Sequence, residues 1–226
     1  MGDINSNIQQ FILYMVALIF SLSVHESAHA WMSNRFGDDL ARSQGRISLN
    51  PVSHVDPIGT LLFPAIAFFT HAPLIGWAKP TPVNPLRWRN KRVANFWVSA
   101  AGAISNFIIA IIAGIGIRLL YVFGITEGLE MRPGSSIIAT GAFELLLTFF
   151  ILNVSLGVFN LLPIPPLDGS KVLQSILPES FEAGFETLER FGFILLFIAV
   201  FTGVLGVIFG IVMPLAWALV FIGATP

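Results

Sequence analysis

The chain has no cysteine, which excludes disulfides and thiolate ligands, so any metal it binds must be held by His, Asp or Glu. Charge is also scarce. Only 11% of the 226 residues are Asp, Glu, Lys or Arg, and their near balance, a net charge of -1, supplies no basic face of the kind nucleic-acid binders carry. No nucleic-acid partner is expected. Internal repeats and low-complexity tracts are absent too, as is any polar stretch long enough for a separate soluble domain.

What fills the chain is apolar. At 55% hydrophobic residues and a mean hydropathy of +0.80, it exceeds what a soluble core requires and reads as an integral membrane protein. Four stretches approach or exceed the ~20 residues that cross a hydrocarbon core: about Ile8 to Met32, Val93 to Phe123, Ile137 to Leu162, and Phe191 to Ile222. The last suits either one tilted helix or a pair broken near Gly210 and Pro214. The first span has no basic region before it and contains a histidine motif, so it is read as retained rather than cleaved. The expected fold is an all-α polytopic membrane protein, a bundle of about four to six transmembrane helices with short extended loops. Residues 1–226 form one domain, with a core of about 8–170 and a C-terminal helix or helix pair at 191–222.

The segment from Ile58 to Ile75 is apolar but short, and it carries Pro64, His71 and Pro73. Arg35, Arg42 and Arg46 precede it; Lys79, Arg87, Arg89, Lys91 and Arg92 follow. If the segment dips in and returns, all eight cations share one face, as cytoplasmic loops favour, so it is expected to be re-entrant. The N-terminus and the loop with Glu127, Glu130 and Arg132 then lie outside, and the region from Lys171 to Arg190 inside.

His25-Glu26-Ser27-Ala28-His29 lies toward the cytoplasmic end of the first span. On a helix of ~3.6 residues per turn its two histidines share one face, ready for one zinc ion, with Glu26 as base. Shuffling a chain with four His and eight Glu yields H-E-x-x-H with a chance on the order of 0.002, so coincidence explains little. Inside a bilayer these side chains cost several kcal/mol unless paired or metal-bound, which weighs against simple packing histidines. A catalytic zinc takes three protein ligands; the candidates for the third are Asp168, Asp56, His54, His71 and Glu144. Asp168 follows the third span after Pro163, Pro165 and Pro166, which break the helix and let the chain turn back. Its bland alternative is an Asx turn or helix cap.

H-E-x-x-H on one membrane helix, followed at the end of a later one by Asn160-Leu-Leu-Pro163-Ile-Pro165-Pro166-Leu-Asp168-Gly169, resembles the site-2 proteases, intramembrane zinc metalloproteases. Ala101-Gly102-Ala103 with Asn106 is similar to that family's small-residue motif, with Ala103 where the family has proline. The resemblance implies one Zn2+ per chain held by His25, His29 and Asp168, with Glu26 as catalytic base and Asn160 in support. It further implies membrane-anchored protein substrates cut in or near their transmembrane segments, in a bacterial or archaeal cell membrane. The likeness is to compact members without PDZ or CBS domains. His54 and Asn153 join the supporting residues, Asn153 and Ser155 as a polar lining for water. Gln44 to Leu49 and Gly76 to Pro85 could present an extended edge to an unwound substrate. A metal transporter or sensor, or a non-catalytic helix-binding scaffold, stand as alternatives, since intramembrane His and Asp also mark ion paths. Oligomeric state is not legible.

Overall fold

The computed structural model describes residues 2–70, 76–125 and 137–222. His71, Glu127, Glu130 and Arg132 lie outside the described residues. Among the described residues every regular element is helical. Three helices are long and apolar enough to cross a membrane: α1 (Gly2–Arg35), α4 (Lys91–Val122) and α5 (Ile137–Asn160). Between α1 and α4 come the short α2 (Leu40–Ser43) and α3 (Phe63–Thr70). After α5 follow α6 (Asp168–Ile176), α7 (Glu182–Arg190), α8 (Gly192–Phe201) and α9 (Val204–Val220).

Helix α4 is the centre of the bundle because its inward face is made of small residues. Ala94, Ala100, Ala101, Gly102, Ala103, Ala110, Ala113 and Gly114 are all buried along it. Without a hydrophobic force between helices in lipid, close backbone approach supplies the packing energy. On the opposite face Ile104, Ile108, Ile111, Ile115 and Leu119 repeat at three- and four-residue spacing and stay exposed, as a lipid-facing stripe does. Ala110, Ala113 and Ile117 pack with Phe150 and Val154 of α5 and Val220 of α9 in the main apolar core.

Helix α3 is short, and the described chain on its two sides is hydrogen-bonded together. From Pro57 to Thr70 a helix at ~1.5 Å per residue reaches about 21 Å, short of the ~30 Å hydrocarbon core. The chain then comes back beside its own start. Trp77 N–H donates to the Gly59 carbonyl (3.1 Å), Lys79 N–H to the His54 carbonyl (2.8 Å), and the Thr60 hydroxyl to the Trp77 carbonyl (2.8 Å). Gly59 makes this possible: a Cβ there would lie 2.4 Å from the Trp77 ring. Residues 76–84 then run on as an extended strap with no β-ladder.

The C-terminal region is a pair, α8 and α9, bent by 68°. The break falls at Gly203, not near Gly210 and Pro214 as expected. Gly203 takes φ +80°, the left-handed conformation that ends α8 cheaply, whereas Pro214 sits inside α9, where lipid-embedded helices tolerate it.

Candidate metal centre

Helix α1 carries His25 and His29 one turn apart, both buried, with their Nε2 atoms 3.0 Å from one another. Each Nε2 is also 3.2 Å from Oδ2 of Asp168. The other ring nitrogens are engaged by acceptors: His25 Nδ1 donates to Asn106 Oδ1 (2.7 Å), and His29 Nδ1 to the Val98 carbonyl (2.6 Å). Carbonyl-type acceptors require Nδ1–H, so in the neutral imidazoles both Nε2 lone pairs point at the same carboxylate. Three electron-pair donors aimed at one point repel unless a cation sits between them. A tetrahedral zinc with bonds of about 2.0–2.1 Å sets its ligands about 3.3 Å apart, and these separations match. Among the described residues this is the one cluster of three such groups.

Packing makes the convergence. A Cβ on Gly102 would lie 2.4 Å from His25 Cε1 and 2.5 Å from His29 Nε2, so only glycine lets α4 approach the imidazoles this closely. Asp168 opens α6, and the turn before it folds back on the end of α5: a Cβ on Gly169 would lie 2.2 Å from the Leu161 carbonyl oxygen. Helix α6 is tied to α4 at its far end. Arg92 donates to the carbonyls of Ser175, Ile176 and Leu177 (2.7, 2.9 and 2.6 Å), and Asn95 to Ser175 Oγ (2.9 Å).

Glu26 lines the same cleft, about 340 Å³, with Pro80, Thr81, Asn95, Asn160 and Lys171. Its Oε2 accepts from the Thr81 backbone N–H (2.8 Å), and its carbonyl from the Thr81 hydroxyl (2.9 Å). Asn160 reaches the cleft while its amide donates to its own helix at Leu156 (3.0 Å). Asn153 is fully buried and lines no cleft, contrary to the expected water path. It accepts from Asn106 (2.9 Å) and donates to Ser21 Oγ (2.8 Å), extending a polar chain from His25 across three helices. Ser155 lines a separate, larger chamber of about 1890 Å³ between α1, α3, α5 and the C-terminal pair.

His54 lies behind the strap, where it donates from Nε2 to the Ser48 carbonyl (2.8 Å). Burial, helped by the Arg46 charge and opposed by that carbonyl, pushes its pKa below the usual histidine value. Two other candidates for the third ligand are occupied elsewhere. Asp56 caps the turn at Pro57 by accepting from the Ile58 and Gly59 amides, and Glu144 accepts from Gln9. Sequence reasoning missed Asn106 as the partner of His25, although an amide inside an apolar span was a usable signal. It also missed the Val98 carbonyl and the Thr81 amide, backbone groups that carry no residue-type signal, and with them the Thr81 hydroxyl.

Residues 13–205 match the sequence model of peptidase family M50. Over 192 residues the chain is 38% identical to the protein named "Putative zinc metalloprotease YwhC" of Bacillus subtilis, covering 85% of this chain and 81% of that one. Over 193 residues it is 27% identical to "Putative zinc metalloprotease Rip2" of Mycolicibacterium smegmatis, covering 85% and 68%. No solved structure matches.

Proposed function

The chain belongs to peptidase family M50, the site-2 protease family, and from that premise we propose that it cuts membrane-anchored proteins in or near their transmembrane segments, with its metal site toward the cytoplasm. The observation that carries this reading is the convergence of Asp168 with His25 and His29 beside Glu26, the last three on a helix long and apolar enough to lie in a bilayer. Its cofactor is zinc, and His25, His29 and Asp168 are the residues that would hold it.

Bound zinc supplies a Lewis acid for the scissile carbonyl and lowers the pKa of water toward ~7. Glu26, steadied by Thr81, takes the proton of the attacking water and returns it to the leaving amine. Asn106 and the Val98 carbonyl hold the two imidazoles in the tautomer that leaves Nε2 free. The apolar chamber ends one helical turn from the cleft, since Leu22 lines one and Glu26 the other on α1. A substrate helix would lie there and unwind at the cleft, because its amides are otherwise hidden in its own hydrogen bonds. The clustering of eight Lys and Arg around the re-entrant segment supports the cytoplasmic orientation.

The test is reconstitution with a single-pass substrate, measuring cleavage and zinc content together. Glu26→Gln should keep its zinc and lose cleavage by at least ~100-fold, the scale of a general base. Asp168→Ala should lose both. Zinc-loaded Glu26→Gln that cleaves like the wild type would overturn the mechanism and favour a transport or sensing role.

A further inference from the structure

Arg46 lies outside the metal cleft, yet the residue is only 4% exposed. Burying a cation is costly without a partner, and among the described residues no carboxylate forms an ion pair with it. Its Nη2 donates to the Lys79 carbonyl, and its Nε is buried with no hydrogen-bond acceptor. Burial lowers its pKa, and the charge that counters this is that of Glu26. Folding stability alone gives no account of such a residue.

The strap explains it. Residues 76–84 are fastened through Trp77 to Gly59, through Lys79 to His54, through Thr81 to Glu26, and through Asn84 N–H to Asp38 Oδ2 (2.7 Å). Arg46 grips the carbonyl of Lys79, two residues before the amide that Glu26 accepts. Pro80 and Pro82 flank Thr81 and fix two φ angles, so the strap is stiff just where the shift would have to be absorbed. We propose that Arg46 is a positioning residue for the catalytic base: by holding Lys79 it seats the strap so that the Thr81 amide aims the Glu26 carboxylate into the cleft. This rests on Glu26 acting as the base.

The experiment uses the full chain in detergent with a single-pass substrate and compares wild type, Arg46→Met, Arg46→Lys, Thr81→Ala and the double variant Arg46→Met/Thr81→Ala. Zinc content, kcat, KM and hydrogen exchange of the 76–84 segment are measured on each. Arg46→Met should retain zinc and near-normal KM while kcat falls about 100-fold, the effect of a misplaced catalytic group. Its strap amides should exchange about tenfold faster, as for loss of one charged hydrogen bond. Arg46→Lys, which can still donate to the Lys79 carbonyl, should recover most of both. Thr81→Ala keeps the amide and removes only the hydroxyl tie between the strap and the Glu26 carbonyl, so it should add nothing in the double variant, where that strap is already unseated.

Unchanged strap exchange in Arg46→Met overturns the proposal, as does activity loss that tracks zinc loss or that multiplies with Thr81→Ala. Failure of the wild type to cleave any single-pass substrate would instead count against the proteolytic reading. The exchange comparison would still decide whether Arg46 seats the strap.

Discussion

Helix α4 and the pair α8–α9 are both apolar enough for a membrane, but they differ in what they put inside. Along α4 most buried positions are Ala and Gly, with Ser99 and Asn106 among them and Val98 and Ile117 the larger exceptions, and most of its Ile residues face outward. In α8 only Gly192 and Ala199 are buried, while Phe193, Ile194, Phe197, Ile198 and Phe201 are exposed. From Gly192 to Ile222 there is no His, Asp, Glu, Lys or Arg at all. Apolar length thus reports the membrane, and small residues with a few buried amides report where helices lock together around a site. The metal cluster stands on the locked part, α1 against α4 and the end of α5, because ligand atoms need placement to a fraction of an ångström.

The sharpest way to break that contrast is one methyl group. Gly102→Ala puts a carbon 2.4–2.5 Å from both imidazoles and should remove bound zinc and nearly all cleavage, a loss of at least ~100-fold. Gly210→Ala in α9, where an added Cβ meets nothing within 4 Å, should leave both within about twofold. Equal effects at the two sites, read by metal analysis on purified protein, would show that the locked interface is not what holds the ligands. Next in size is Asn106→Ala, which frees His25 Nδ1 and breaks the link to Asn153. Zinc affinity should fall about 10–100-fold, measured by competition with a chelator, with the helices otherwise intact.

The three long spans were legible because an apolar run of that length has no other stable home, and their observed limits differ from expectation by a few residues at most ends. The expectation of a dip rested on charge placement, and the hydrogen bonds of Trp77 and Lys79 to Gly59 and His54 join the two sides of that segment. H-E-x-x-H was legible because helical periodicity places both histidines without tertiary information. The third ligand was less so: Asp56, Glu144 and Asp168 are alike as residue types, and only packing shows the first two engaged elsewhere. The C-terminal stretch left one helix or a pair open, with a break near Gly210 and Pro214; the pair is observed and breaks earlier, because a left-handed residue at Gly203 ends a helix more completely than a proline that lipid-embedded helices accommodate. Contacts made by backbone atoms, as by the Val98 carbonyl and the Thr81 amide, leave no trace in residue identity.

A smaller effect is expected from the tie between α4 and α6. Arg92 is a cation in the first turn of α4, the unfavourable end of the helix dipole, and its three bonds to the α6 carbonyls account for its position. Arg92→Ala should weaken zinc binding about fivefold by loosening the helix that begins with Asp168. An unchanged affinity would mean that the turn from Pro163 to Leu167 orients Asp168 without help from α4.

The smallest effect is a slope in pH. His54 has a lowered pKa in the fold, so between that value and the ordinary ~6.5 the unfolded chain binds a proton that the folded chain does not. Stability therefore falls as pH drops through the ordinary histidine range, and His54 contributes fully only above it. The metal ligands add a slope of the same sign, since they must be deprotonated to bind. Both slopes are present in the wild type, while His54→Gln retains only the second. Thermal unfolding in detergent between pH 7.5 and 5.5 should thus show a Tm loss a few degrees smaller in His54→Gln, on the scale of roughly 1 kcal/mol. Parallel curves would mean that the strap tolerates a charged His54 beside Arg46. Helices α8 and α9 carry nothing that titrates in this range, so no part of the slope originates there.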